Sequence, residues 1–145
     1  MYKRQRYDEA GFLGYRGHAA GRAPEPLFWF GAGLGFGRWD YTAADVAVVD
    51  ETPVVTVSLR NTADLPSREV VQVYFAPTDA TQAVRLVGWA AADVAPGAAT
   101  QVPVHCDPRA LRRWDTAAHA WTPLGTGELL IARGLGDVRL RLPLT

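Results

Sequence analysis

Besides its carboxylates, this chain offers three histidines, one cysteine and two serines for nucleophilic, metal or acid–base chemistry, and their spacing argues against each use. His105 and Cys106 are neighbours, so on a strand they face opposite ways and cannot chelate one ion together. His18 stands in a glycine-rich loop and His119 in an expected turn, which reads as solvated histidine rather than a metal or acid–base site. Ser58 alternates within a strand pattern, Ser67 closes a turn, and no Gly-x-Ser-x-Gly elbow is present. Cys106 has no signature of reactivity and reads as a buried thiol.

Asp50, Asp64, Asp79, Asp107, Asp115 and Asp137 sit where turns and caps need them; two carboxylates converging at glycosidase spacing is the competing use. Trp89, Trp114 and Trp121 have the surface to stack on sugar rings in a cleft, but the expectation is that they fill the core or its rim. The run Gly31-Ala32-Gly33-Leu34-Gly35-Phe36-Gly37 misses a dinucleotide fingerprint at Phe36. It misses a phosphate-binding loop because Arg38 follows Gly37, and it reads as a connector. No catalytic, cofactor-binding or metal-binding residue is assigned, and no cofactor is expected.

The elements that would position any site are strands. Val55, Val57 and Leu59 alternate with Thr56, Ser58 and Arg60, the period of a half-buried strand. After the turn formers Asn61 to Ser67, the segment Glu69 to Phe75 is β-branched and aromatic and apolar on both faces, as a central strand is. These two are expected to be paired core strands. Further strands are expected at Asp45 to Val49, Val84 to Asp93, Ala99 to His105, Glu128 to Arg133 and Val138 to Leu142. Pro103 marks its strand as an edge or a bulge. Asp107 and Pro108 open a helical turn, and Trp114-Asp115 with Ala120-Trp121 form a small hairpin. The fold class is therefore all-β, an immunoglobulin or fibronectin type III-like sandwich of about seven strands with an irregular N-terminal extension.

Length and charge fit that reading. At 145 residues and 48% hydrophobic, the chain is one domain or one domain plus an appendage. Fifteen basic and fifteen acidic side chains balance, giving no field for nucleic acid or an anionic membrane. The chain's one lysine and one methionine fall in Met1-Tyr2-Lys3-Arg4-Gln5, so residues 1–5 read as a sequencing scar. With the native N-terminus then missing, the lack of a leader carries no information on export. The front section to Tyr41 has no periodicity of its own. Its aromatics Phe28, Trp29, Phe30 and Phe36 are expected to dock on something else.

Several stretches together resemble glycoside hydrolase family 3. Tyr7 to Arg16 (YDEAGFLGYR) is similar to the YxEGIFVGYR segment near the end of that family's α/β-sandwich domain. Pro26 to Leu34 (PLFWFGAGL) is similar to its PLFPFGHGLSYT connector. Asn61 to Asp64 and Glu69 to Tyr74 resemble its NTGDxxGxEVVQLY signature, Leu86 to Trp89 its LKGF, Ala95 to Gly97 its APGE turn, and Trp114-Asp115 its late WD pair. The resemblance implies residues 6–41 as the tail of the preceding domain plus connector, and residues 42–145 as a C-terminal fibronectin type III-like domain. It implies a non-catalytic accessory part of a β-glucosidase or β-xylosidase whose catalytic aspartate and glutamate lie in absent domains. The partners would be the parent's barrel and α/β-sandwich domains, met through Phe28, Trp29, Phe30 and Phe36. A free-standing carbohydrate-binding or adhesion module is the alternative. Three places depart from the pattern: FGAGLGFG replaces FGHGLSYT, Ala63 replaces the glycine of NTGD, and Ala132 to Gly136 replaces VGxSS. The last puts Arg133 on an inward-facing parity beside Leu129 and Ile131.

Overall fold

The computed structural model describes residues 10–50 and 52–145. The foreign-looking residues 1–5, the motif residues Tyr7 to Glu9 and Glu51 of the first turn lie outside the described residues. Among the described residues, nine strands follow a one-turn helix: α1 (Tyr15–Ala19), β1 (Trp39–Val49), β2 (Thr52–Asn61), β3 (Ser67–Pro77), β4 (Arg85–Val94), β5 (Ala99–His105), β6 (Arg112–Asp115), β7 (Ala120–Pro123), β8 (Gly127–Gly134) and β9 (Asp137–Leu144). Among the described residues no helix is long and apolar enough to cross a membrane.

Seven strands make two antiparallel sheets, β1-β2-β5 and β4-β3-β8-β9, and β6 with β7 forms a separate hairpin. This is the all-β sandwich that the alternation demands. One expectation changes: β2 and β3 do not pair. Each is central in its own sheet, and their apolar faces meet across the core. The five-residue link through Pro66 is long enough to cross between sheets instead of closing a tight hairpin.

The core is what the period of two dictates. Val55, Val57 and Leu59 of β2 and Val102 and Val104 of β5 meet Val71, Val73, Phe75, Leu129 and Ile131 of the other sheet. Each such side chain contributes on the order of 2 kcal/mol by leaving water. Pro103 lies on β5, an edge strand, as a proline within a strand requires. Asp107 caps the 3-10 turn Pro108–Leu111 by accepting from the Arg109 N–H at 2.9 Å.

Where NTGD has become NTAD, Asn61 explains the turn. Its buried amide donates to the Leu65 and Val94 carbonyls at 2.8 and 3.0 Å, and its Oδ1 accepts from the Ala63 N–H at 3.0 Å. One side chain thus clasps the end of β2 to the β2–β3 link and to the end of β4. Ala63 is absent from the residues with positive φ, so the glycine is not required there.

Candidate functional site

The front section is fastened to the outer face of the four-stranded sheet. On β3 the face opposite the core carries Gln72 and Tyr74, both buried. Tyr74 makes a second apolar patch with Leu130, Ala132 and Leu135, and Tyr15 and Trp29 pack against it. Phe30 stacks on Tyr15 with ring centroids 4.3 Å apart, and both meet the Tyr74 ring edge-on.

Polar groups fix the register of this strap. Tyr74 Oη donates to Gln72 Oε1 at 2.6 Å and lies 3.3 Å from the Phe30 carbonyl. Gln72 Nε2 donates to the carbonyls of Gly31 and Arg133 at 2.9 and 2.7 Å, and the Tyr15 hydroxyl accepts from the Leu86 N–H. Burial, with Tyr15 beside it, pushes the Tyr74 hydroxyl well above the ordinary tyrosine range, so it remains a donor. Gly31, at φ +83°, lets the backbone pass over Gln72; a Cβ there would run into that amide. The Gly134 and Gly136 positions likewise leave room for Gly31-Ala32 and for the Trp29 ring.

An ion pair sits where the strap leaves the sheet. A register irregularity at Ala132–Gly134 leaves Arg133 without a partner on β9 and aims its side chain inward. There Arg133 Nε donates to Glu69 Oε1 at 2.7 Å, and the Tyr41 hydroxyl of the facing sheet donates to the same oxygen at 2.9 Å. The inward parity of Arg133 is thus met by a buried carboxylate at the end of the core. Burial, then the charge of Glu69, drives the Tyr41 hydroxyl far above its ordinary range, so it stays protonated. Glu69, Arg133, Gln72, Trp29 and Phe28 line a groove of about 500 Å³ between strap and sheet.

The sequence-nominated residues divide clearly. Of the four docking aromatics, Trp29 and Phe30 pack on this chain's own sheet, while Phe28 and Phe36 stand 83% and 91% exposed. Trp89, Trp114 and Trp121 fill neither core nor rim: all are exposed, at 65%, 49% and 62%. Trp114 and Trp121 are cross-strand partners on β6 and β7, edge-to-face at 5.7 Å. Neither they nor Trp89 lines the groove.

His105 and His119 are exposed, and the His18 ring nitrogen Nδ1 lies 2.6 Å from the Pro24 carbonyl, which makes it the protonated one. Among the described residues no three metal-ligating side chains cluster. Asp79, Asp107 and Asp115 hold turn and cap N–H groups, and their carboxyls are kept below the ordinary range chiefly by the Thr81 hydroxyl, the Arg109 guanidinium and the Ala118 N–H respectively, while Asp137 holds the Arg139 fork. Cys106 is buried, and its thiol is pushed up to about 11 by that burial, the opposite of an activated nucleophile. Sequence reasoning missed Tyr15, Gln72 and Tyr74 as the strap's seat, and Glu69 as the partner of Arg133.

Residues 69–133 match the family model of the fibronectin type III-like domain. A solved β-glucosidase from Streptomyces venezuelae superposes with a TM-score of 0.87 at 32% identity, over 95% of this chain and 18% of that one. The chain is a fibronectin type III-like domain of the glycoside hydrolase family 3 kind. The solved family 3 β-glucosidase of Bifidobacterium adolescentis contains the same fold with its strap, at TM-score 0.84 and 26% identity over 96% of this chain and 21% of that one. A β-glucosidase of Rhizobium radiobacter is 33% identical over 141 residues, covering 92% of this chain and 17% of that protein. An exo-α-(1→6)-L-arabinopyranosidase of Bifidobacterium longum is 32% identical over 136 residues, covering 90% and 18%. This fibronectin type III-like chain therefore spans less than a quarter of the length of these relatives, which include both β-glucosidases and an arabinopyranosidase.

Proposed function

We propose that this chain is a non-catalytic C-terminal accessory domain of a longer family 3 glycoside hydrolase acting on β-glucosides or β-xylosides. Its role is to pack against the catalytic domains and stabilise them. One observation carries this reading: the strap is fixed on one side and presents bare apolar side chains on the other. Tyr15, Trp29 and Phe30 lock it to the sheet, while Phe28 and Phe36, with Leu27 and Leu34, stand exposed to solvent. A cluster of exposed large apolar groups on a well-anchored segment marks a docking surface. Residues 6–41 then form the tail and connector of the preceding domain, and 42–145 the accessory domain, with β1 reaching back to Trp39.

The nucleophile and the acid/base carboxylate belong to the rest of the parent in this reading, so the isolated chain releases no nitrophenol from aryl β-glucosides. Turnover that copurifies with it overturns the accessory role. The adjoining genomic sequence supplies the second test, because absence of a barrel domain upstream removes the proposed parent. In the full-length enzyme, Phe28→Ser with Phe36→Ser lowers the melting temperature without touching the active site; an unchanged melting temperature removes these two residues from the interface.

A further inference from the structure

The groove beneath the strap has the chemistry of a sugar subsite, and Leu27, Phe28 and Leu34 of the docking strip also line it. Its lining includes Glu69 and Arg133, paired through Nε and Oε1 alone. The two terminal amino groups of Arg133 and the second carboxylate oxygen of Glu69 take part in no hydrogen bond with any described residue. Donors and an acceptor therefore stand on one charge-balanced pair. The polar neighbours do not compete. Gln72 is saturated by Tyr74, Gly31 and Arg133, and Asp137 is held by the Arg139 fork. One wall is apolar and aromatic, from the half-buried Trp29 and the exposed Phe28.

The geometry points to a neutral hexopyranose as the occupant, with two adjacent hydroxyls on the ion pair and its C–H face on the aromatic wall. Each hydroxyl of a vicinal diol both donates and accepts, which the Glu69 and Arg133 edges match. A free anion is repelled by Glu69, and a cation by Arg133 with Arg68 beside it. The groove's volume of about 500 Å³ suits one or two rings. If the strip docks as proposed above, the subsite lies at a domain junction, where small-molecule sites are common. It does not depend on that docking, since the titration below reads the isolated chain and the hydrolysis assay reads turnover.

The test uses the 145-residue chain labelled with ¹⁵N and titrated with methyl β-D-glucoside and cellobiose, with sodium acetate as the anion control. Saturable shifts of the Trp29 indole and Arg133 Nε signals are expected, with none from acetate. Arg133→Lys keeps a cation beside Glu69 but removes the guanidinium fork, and weakens binding at least about tenfold, the loss of one good charged hydrogen bond. Phe28→Ala, at an exposed site that does not support the fold, weakens it several-fold. Four results overturn the assignment: no saturable shift, equal shifts from acetate, shifts confined to Trp114 and Trp121, or unchanged affinity in both variants.

Discussion

Two buried polar side chains carry the sharpest residue-scale consequences. Asn61 has its amide donors and Oδ1 matched by three backbone groups, so alanine removes all three bonds, and the Leu65 carbonyl keeps only the Ser67 hydroxyl as a side-chain donor. Asn61→Ala is expected to cost about 2–4 kcal/mol in urea unfolding, while Asn61→Asp, which keeps the acceptor and loses the donors, falls between. Equal costs would show that the Ala63 contact contributes nothing and that the two donated bonds are what matter. Glu69 and Arg133 behave differently from each other. Arg133→Ala strands a buried carboxylate supported only by Tyr41, whereas the double variant Glu69→Gln, Arg133→Ala removes the charge as well. The single change is expected to cost about 3 kcal/mol and the double about half as much, a coupling that a double-mutant cycle reads directly. Additive effects would mean that the pair is screened by solvent.

At the scale of elements, what could be read from the sequence was whatever one strand's alternation records. Strands β2, β4, β5, β8 and β9 fall where period two put them, and Asp107-Pro108 announced the 3-10 turn. The opening of β1 was hidden because the register shifts between Tyr41 and Ala43, breaking the alternation among small and polar residues. The strap was hidden for another reason. Its seat is the even-numbered face of β3, more than forty residues further on, and nothing in Tyr15 to Phe30 repeats with a period. Of the groove, the inward parity of Arg133 was legible, but not its partner, since Glu69 lies sixty-four positions earlier on a neighbouring strand. The strap makes its own prediction. Gly31→Ala puts a methyl group against the Gln72 amide at φ +83°, and so releases the strap while leaving the sandwich core untouched. Amide exchange at Leu135, whose N–H donates to the Phe30 carbonyl at 2.8 Å, should then rise sharply while that of Val73 stays slow. Rapid exchange at both would mean that strap and sandwich unfold as one unit.

For the whole molecule, stability should be limited from the alkaline side, because three buried groups share one direction of shift. Cys106 packs in the core where the chain leaves β5, and burial moves its thiol from about 9 up to about 11. The hydroxyls of Tyr41 and Tyr74 are also raised, each chiefly by burial and secondarily by a neighbouring side chain. A group with a higher pKa folded than unfolded lends its stability below the unfolded value and loses it as pH climbs toward the folded one. Unfolding free energy should therefore hold level up to about pH 9 and fall between 9 and 11 as the unfolded thiol ionises. Above 10 the two tyrosines steepen the fall. Cys106→Ala separates the contributions. It lowers stability at neutral pH through a small cavity, but removes on the order of 2 kcal/mol from the loss between pH 9 and 11. Urea unfolding at half-unit pH steps reads both numbers from one series. A variant whose alkaline limb overlies that of the parent chain would assign the whole fall to the tyrosines, and then Tyr74→Phe, which cannot ionise, must flatten it above pH 10.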